Sequence, residues 1–157
     1  MNKKEVLSEF NAELKKFQKE IGFSVSLEDL EKEFFIQDSV LMTGFVKSDL
    51  FNQVGFAIVE SFRAWAMYFN GLLMPNPQNI LMQTESKLFN SKEERGKIWE
   101  IVTECMKFSN LYSFSSISED KNLKKEFIDS AYYSWTKIIK PFVCEVLGKI
   151  YHSWEEK

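Results

Sequence analysis

Leu7, Phe10, Leu14, Phe17 and Ile21 recur at intervals of three and four residues, the spacing that aligns apolar side chains on one helical face. Glu9, Glu13, Lys15, Lys16, Lys19 and Glu20 fall off that row. Gly22 follows its last member, where a helix ends readily in the left-handed conformation. Ser26, with Glu28 and Asp29 behind it, reads as the N-cap of a second helix that carries Leu27, Leu30 and Phe34 to about Gln37. Asp38–Lys47 is expected to add a short helix, weakened by Gly44.

Ser48 and Asp49 cap the most distinctive predicted element, about Leu50 to Leu73. Phe51, Val54, Ile58, Phe62, Trp65, Phe69 and Leu72 form one row, and Phe56, Val59, Ala66, Met67 and Tyr68 spread apolar surface over most of the remainder. A helix apolar nearly all round is expected at the centre of a bundle. Met74-Pro75-Asn76-Pro77 interrupts it. Asn76 as N-cap and Pro77 at the first helical position predict a helix to about Phe89. Ser91-Lys92-Glu93-Glu94 matches a capping box, followed by the row Ile98, Ile101, Cys105 and Phe108.

Ser113–Asp120 reads as a surface loop. From Lys121 the pattern is helical to the end, with rows Leu123–Phe127–Ala131–Trp135–Ile138 and Ile128–Tyr132–Trp135–Ile139. Pro141 is expected to kink or divide that segment, after which Val143, Val146, Leu147, Ile150 and Trp154 resume. No strand, hairpin or long repeat is evident. The pattern predicts one all-α domain over residues 1–157, a helical bundle of six to eight helices.

Charge sharpens this picture. The 35 residues Leu50–Thr84 hold only Glu60 and Arg63 as charged groups, whereas the chain has 43 in all. The uncharged stretch 64–84 is long enough to raise a membrane span. Asn70, Gly71, Pro75, Asn76, Pro77, Gln78 and Asn79 would leave polar groups unsatisfied in lipid, so no span is expected. The opening MNKKEVLSEFNAELKK lacks an apolar signal segment, and the expected compartment is the cytoplasm. A net charge of −3 gives no general attraction to nucleic acid.

Candidate chemistry is sparse. Glu60, Arg63 and Asn70 lie in the apolar centre, with Asn52 and Gln53 near the same side. They are candidate ligand-binding residues along a polar seam, or else a solvent-facing strip. Glu100 and Glu104 are four apart, Glu126 and Asp129 three apart, and a hairpin turning near residue 115 would bring the pairs level. Four convergent carboxylates suit Mg²⁺ and phosphate chemistry. This set resembles, in part, the all-α nucleoside-triphosphate pyrophosphohydrolases, whose helices carry E-E-x-x-E and a later E-x-x-D; Ile101 stands here in place of the second acid. The resemblance implies a metal site for nucleotide hydrolysis at those four residues. Helical phase favours solvated carboxylates paired with Lys97, Lys107 and Lys125 instead.

The only histidine, His152, follows Lys149 by three, so the paired E-x-x-H of a ferritin-like di-metal site is missing. Cys105 and Cys144 have no C-x-x-C partner and read as small core residues. The clusters Lys15-Lys16-Lys19, Lys121-Lys124-Lys125 and Lys137-Lys140 are interleaved with acids, and two arginines offer little base reading. Tyr132, Tyr133, Trp135, Tyr151 and Trp154 spread around the C-terminal segment. They are candidate interface residues, because Tyr and Trp are enriched at interfaces; packing between two neighbouring helices explains the same residues.

These features favour a non-catalytic, cytoplasmic protein-interaction or oligomerisation domain, a homodimer in the first instance, with no cofactor. The alternative is a small-ligand or nucleotide-binding domain with Mg²⁺-dependent phosphohydrolase chemistry. Lysine-mediated nucleic-acid binding is the third class.

Overall fold

The computed structural model describes residues 2–157, and every regular element among them is helical. The chain is all-α. Helix α1 (Lys3–Ile21) begins with a capping box: the Asn2 side chain accepts from the Lys4 N–H at 2.6 Å, and Glu5 accepts from the Asn2 N–H at 2.9 Å. It ends at Gly22, whose φ of 83° is the left-handed turn that its sequence position predicts.

Helix α2 (Leu27–Phe34) is capped by Ser26, whose Oγ accepts from the Asp29 N–H at 3.0 Å. It stops short of Gln37 because Phe35 turns left-handed at φ 52°. The short α3 (Asp38–Thr43) closes at Gly44.

Helix α4 (Leu50–Leu73) has the predicted bounds, and the Asp49 carboxylate accepts from the Asn52 N–H in its first turn. Its environment differs from the expectation. Val59 and Ala66 are buried, but Phe56, Ala64 and Met67 are exposed. The helix is therefore open along one stripe that includes Phe56, Glu60, Ala64, Met67 and Asn70.

Helix α5 (Ile80–Ser86) starts later than predicted because Asn79, not Asn76, is its cap: Asn79 Oδ1 accepts from the Met82 N–H at 3.0 Å. Asn76 instead closes the preceding turn on the Gln78 N–H. Helix α6 (Lys92–Ser118) begins at the predicted capping box, Glu94 N–H to Ser91 Oγ at 3.1 Å.

The expected loop at Ser113–Asp120 is mostly helix. Ser113 donates to the Ser109 carbonyl at 3.2 Å and Ser115 to Leu111 at 2.6 Å. These serines turn their hydroxyls back onto their own helix instead of breaking it. Only Glu119 and Asp120 separate α6 from α7 (Lys121–Ser134). A single π-turn, Trp135–Ile139, then leads into α8 (Lys140–Glu155), with the Lys140 N–H reaching the Trp135 carbonyl. The wider turn falls just before Pro141, the residue with no N–H to donate.

The chain forms two compact units. One comprises residues up to Ser61 together with Phe108–Tyr132. Phe10, Leu14, Leu30, Val54, Ile58, Phe108 and Phe127 are buried in it. Tyr112 packs between Phe51 and Phe127 with ring centroids 5.8 and 5.5 Å away, and a Cβ at Gly55 would stand 2.6 Å from its Cε2.

The other unit comprises Phe62–Lys107 and Tyr133–Lys157. Its core includes Phe62, Phe69, Leu72, Ile98, Cys105, Ile139, Val143 and Ile150. Here the end of α4 is secured by side chains: Arg95 donates to the Leu73 carbonyl at 2.6 Å and Ser86 to the Leu72 carbonyl. Both satisfy carbonyls that a helix terminus leaves without partners.

Candidate interaction surface

The candidate carboxylates are divided between the two units. Glu104 belongs to the second, where it accepts from the buried Ser134 hydroxyl at 2.8 Å and pairs with Lys107 at 3.7 Å. Glu100 is exposed on the same helix. In the first unit Glu126 is exposed, while Asp129 Oδ1 accepts from the Ser24 and Val25 N–H groups at 2.8 and 3.1 Å. Asp129 thus ties α7 to the turn between α1 and α2, a role that spacing along the helix does not reveal. Among the described residues, no group of three or more His, Cys, Asp and Glu is arranged to hold a metal ion.

Glu60 and Asn70 are exposed and Arg63 is half-buried. Asn52 and Gln53, assigned to the same seam, act inside the first unit. Asn52 Oδ1 accepts from Tyr112 at 3.2 Å and Ser116 at 2.6 Å, and Gln53 Oε1 accepts from the Lys47 N–H at 3.1 Å.

The first unit carries an open groove of about 570 Å³ around Phe17, Phe51 and the start of α4. Lys16, Lys121 and Lys124 reach it, but so do Glu13, Glu20, Asp49 and Glu119. Lys16 pairs with Glu13 at 2.7 Å and Lys121 with Glu20 at 3.1 Å. Its lysines are matched by carboxylates, so it lacks the positive field that a phosphate site needs. A second groove of about 570 Å³ runs between α1 and α2, lined by Leu14, Leu27 and Ile36 among others.

The aromatic candidates sort by exposure. Trp135 is a correction: only 8% of it is exposed, and its ring stands edge-on to Phe62 at 6.1 Å in the second unit. It belongs to the core, as its place in the row Leu123–Phe127–Ala131–Trp135 allows. Tyr132 is half-buried. Tyr133, Tyr151 and Trp154 are exposed.

Tyr151 and Trp154 continue a row along α8 that starts at Cys144 and Leu147, at intervals of three and four, and every member is exposed. This is a second apolar stripe, flanking the row of buried Val143, Val146 and Ile150 about a quarter-turn around the helix. Its polar tips are held locally: Tyr151 donates to Glu155 at 2.8 Å, the Trp154 Nε1 to Glu85 at 3.2 Å, and Lys157 lies 4.0 Å over the Trp154 ring. Leu147 and Cys144 were readable as part of this row from their spacing to Tyr151 and Trp154. No helix among the described residues is long and apolar enough to cross a membrane. No family model, curated protein or solved structure matches the chain.

Proposed function

We propose that this chain is a non-catalytic helical interaction domain that self-associates through the outer row of α8. The observation that carries this reading is the exposed run Cys144, Leu147, Tyr151 and Trp154, backed by a buried row on the same helix. A helix apolar on two faces packs against two neighbours, and the first unoccupied neighbour here is another molecule. Leu147 and Trp154 are 39% exposed and Tyr151 61%, so covering them contributes only a fraction of the about 1.5–3 kcal/mol that burying a fully exposed large side chain is worth.

Charge supports a second copy as the occupant. Lys137 and Lys140 stand at the start of the segment, and Glu155 and Glu156, followed by Lys157, at its end. A two-fold axis across the row runs two copies of α8 antiparallel, bringing each basic start near the partner's acidic end. The free thiols of Cys105 and Cys144 fit a reducing, cytoplasmic setting. Light scattering over a concentration series tests the reading. A mass rising reversibly above the 18.5 kDa chain supports it, and a constant monomer mass rejects it.

A further inference from the structure

We propose a docking surface on different residues, at the α2–α3 corner of the first unit. Phe35, Leu41, Met42 and Phe45 there take the apolar face of a positively charged amphipathic helix from a partner protein. All four are exposed, Phe35 at 60% and Met42 at 87%, within an eleven-residue segment. Residues 41–45 are exposed without interruption. Clustered apolar exposure of this kind marks interaction sites in folded proteins, whereas scattered single residues do not.

The backbone supplies an independent reason to single out this corner. Phe35 sits at φ 52°, ψ 46°, a left-handed conformation that is unfavourable for a side-chain-bearing residue. Glycine or asparagine would relieve it. A strained aromatic whose ring stays largely in solvent adds little to the core that would offset its strain, and strain of this kind collects at binding sites. Gly44, at φ 76°, makes the second left-handed turn, just before Phe45. The turns bracket α3 and leave an apolar residue exposed at each end.

Charge decides the occupant. Glu28, Asp29, Glu31, Glu33, Asp38 and Asp49 surround the segment in sequence, against Lys32 and Lys47. A second copy would bring this acidic corner against its like, and anionic lipid or nucleic acid would be repelled in the same way. A basic partner is attracted. A groove between α1 and α2 adjoins the segment, with Phe35, Leu41, Met42 and Phe45 outside its lining. Ile36 and Gln37, which follow Phe35, line it together with Leu14 and Leu27, and Lys15, Glu28, Glu31 and Lys32 also border it. Docking on the segment follows the amphipathic-helix mode, in which anchors spaced three, four and seven apart meet an apolar surface.

The test uses the full chain and a fluorescein-labelled helix of about 18 residues, built from leucine on one face and lysine on the other. Two control peptides accompany it, one with the leucines scattered around the helix and one with glutamate replacing lysine. Anisotropy should report saturable one-to-one binding of the leucine–lysine helix, at least about tenfold tighter than either control. Phe35→Asn with Met42→Ser should weaken binding at least about tenfold, while the left-handed turn, which asparagine accepts, keeps the thermal transition in place. Leu147→Ser should leave peptide binding unchanged, which separates this surface from the α8 row. Equal binding of the glutamate helix, or binding indifferent to the double substitution, would overturn the proposal. So would a loss of self-association in the double variant, because the corner would then be a contact between copies.

Discussion

The ring of Tyr112 occupies the space that a side chain at position 55 would need: a Cβ on Gly55 would lie 2.6 Å from Tyr112 Cε2 and 2.9 Å from Cδ2. The ring has little room to withdraw, since Phe51 and Phe127 flank it and its hydroxyl donates to Asn52. Gly55 is what allows α6 to approach α4 in the first unit.

Helix propensity alone says that Gly55→Ala should stabilise the protein by about 1 kcal/mol. The close approach reverses the sign. Overpacking at this contact should cost about 1–3 kcal/mol, read as a lower urea midpoint with an unchanged slope. Combining it with Tyr112→Leu should be clearly less than additive, because the second change removes the clash that the first creates.

Trp135 and Tyr151 should behave as opposites. Trp135→Ala removes a core ring packed on Phe62 and should cost about 3–5 kcal/mol of stability. Tyr151→Ala should change the stability of the isolated chain by no more than about 0.5 kcal/mol. Urea unfolding at low protein concentration, where association contributes least, makes the comparison.

The two thiols should separate in a labelling experiment. Burial pushes the Cys105 thiol up to about 12, and the residue is fully enclosed. Cys144 lies exposed on the outer row of α8. At a concentration low enough to keep the chain monomeric, one thiol per chain should react promptly with a maleimide, and the second only at the rate of unfolding. A Cys144→Ser variant should lose the fast phase entirely.

Glu94 links the start of α6 to α8. Its carboxylate accepts from Lys149 and from the Ser91 hydroxyl and backbone N–H. Those bonds, the one from Lys149 first, hold its pKa below the ordinary 4.5. A lowered carboxylate stabilises the fold above its unfolded value, and that stabilisation disappears as pH falls through the folded value. Glu94→Gln should therefore lower the thermal midpoint at neutral pH. The gap from the parent protein should close as the medium is acidified below the ordinary carboxylate range, and should narrow with salt.

Much of the helical pattern was legible in the sequence, because a three-and-four row such as Phe10–Leu14–Phe17–Ile21 has one geometric reading. Caps that rely on a single side chain, Ser26 and Ser91, were equally plain. What escaped was contextual. Ser115 looks like a loop residue until its hydroxyl is seen on the Leu111 carbonyl, and Asn76 and Asn79 are equivalent as caps until the turn between them is built. Phe35 gives no sign in composition that it will turn left-handed. The interface candidates divide for a related reason. Periodicity groups Trp135 both with Tyr132 and with buried Phe127 and Ala131, and burial decides for the second row; Tyr151 and Trp154, beyond the π-turn and its one-residue shift of register, are exposed.

Sedimentation equilibrium of the parent chain beside a Leu147→Ser/Tyr151→Ser variant tests the central claim most directly. From about 1 to about 200 µM, the parent should rise from the 18.5 kDa chain mass toward twice that value. The variant should remain at the chain mass with its thermal midpoint preserved. A parent that stays monomeric throughout, or a variant that assembles as well as the parent, would contradict self-association through α8.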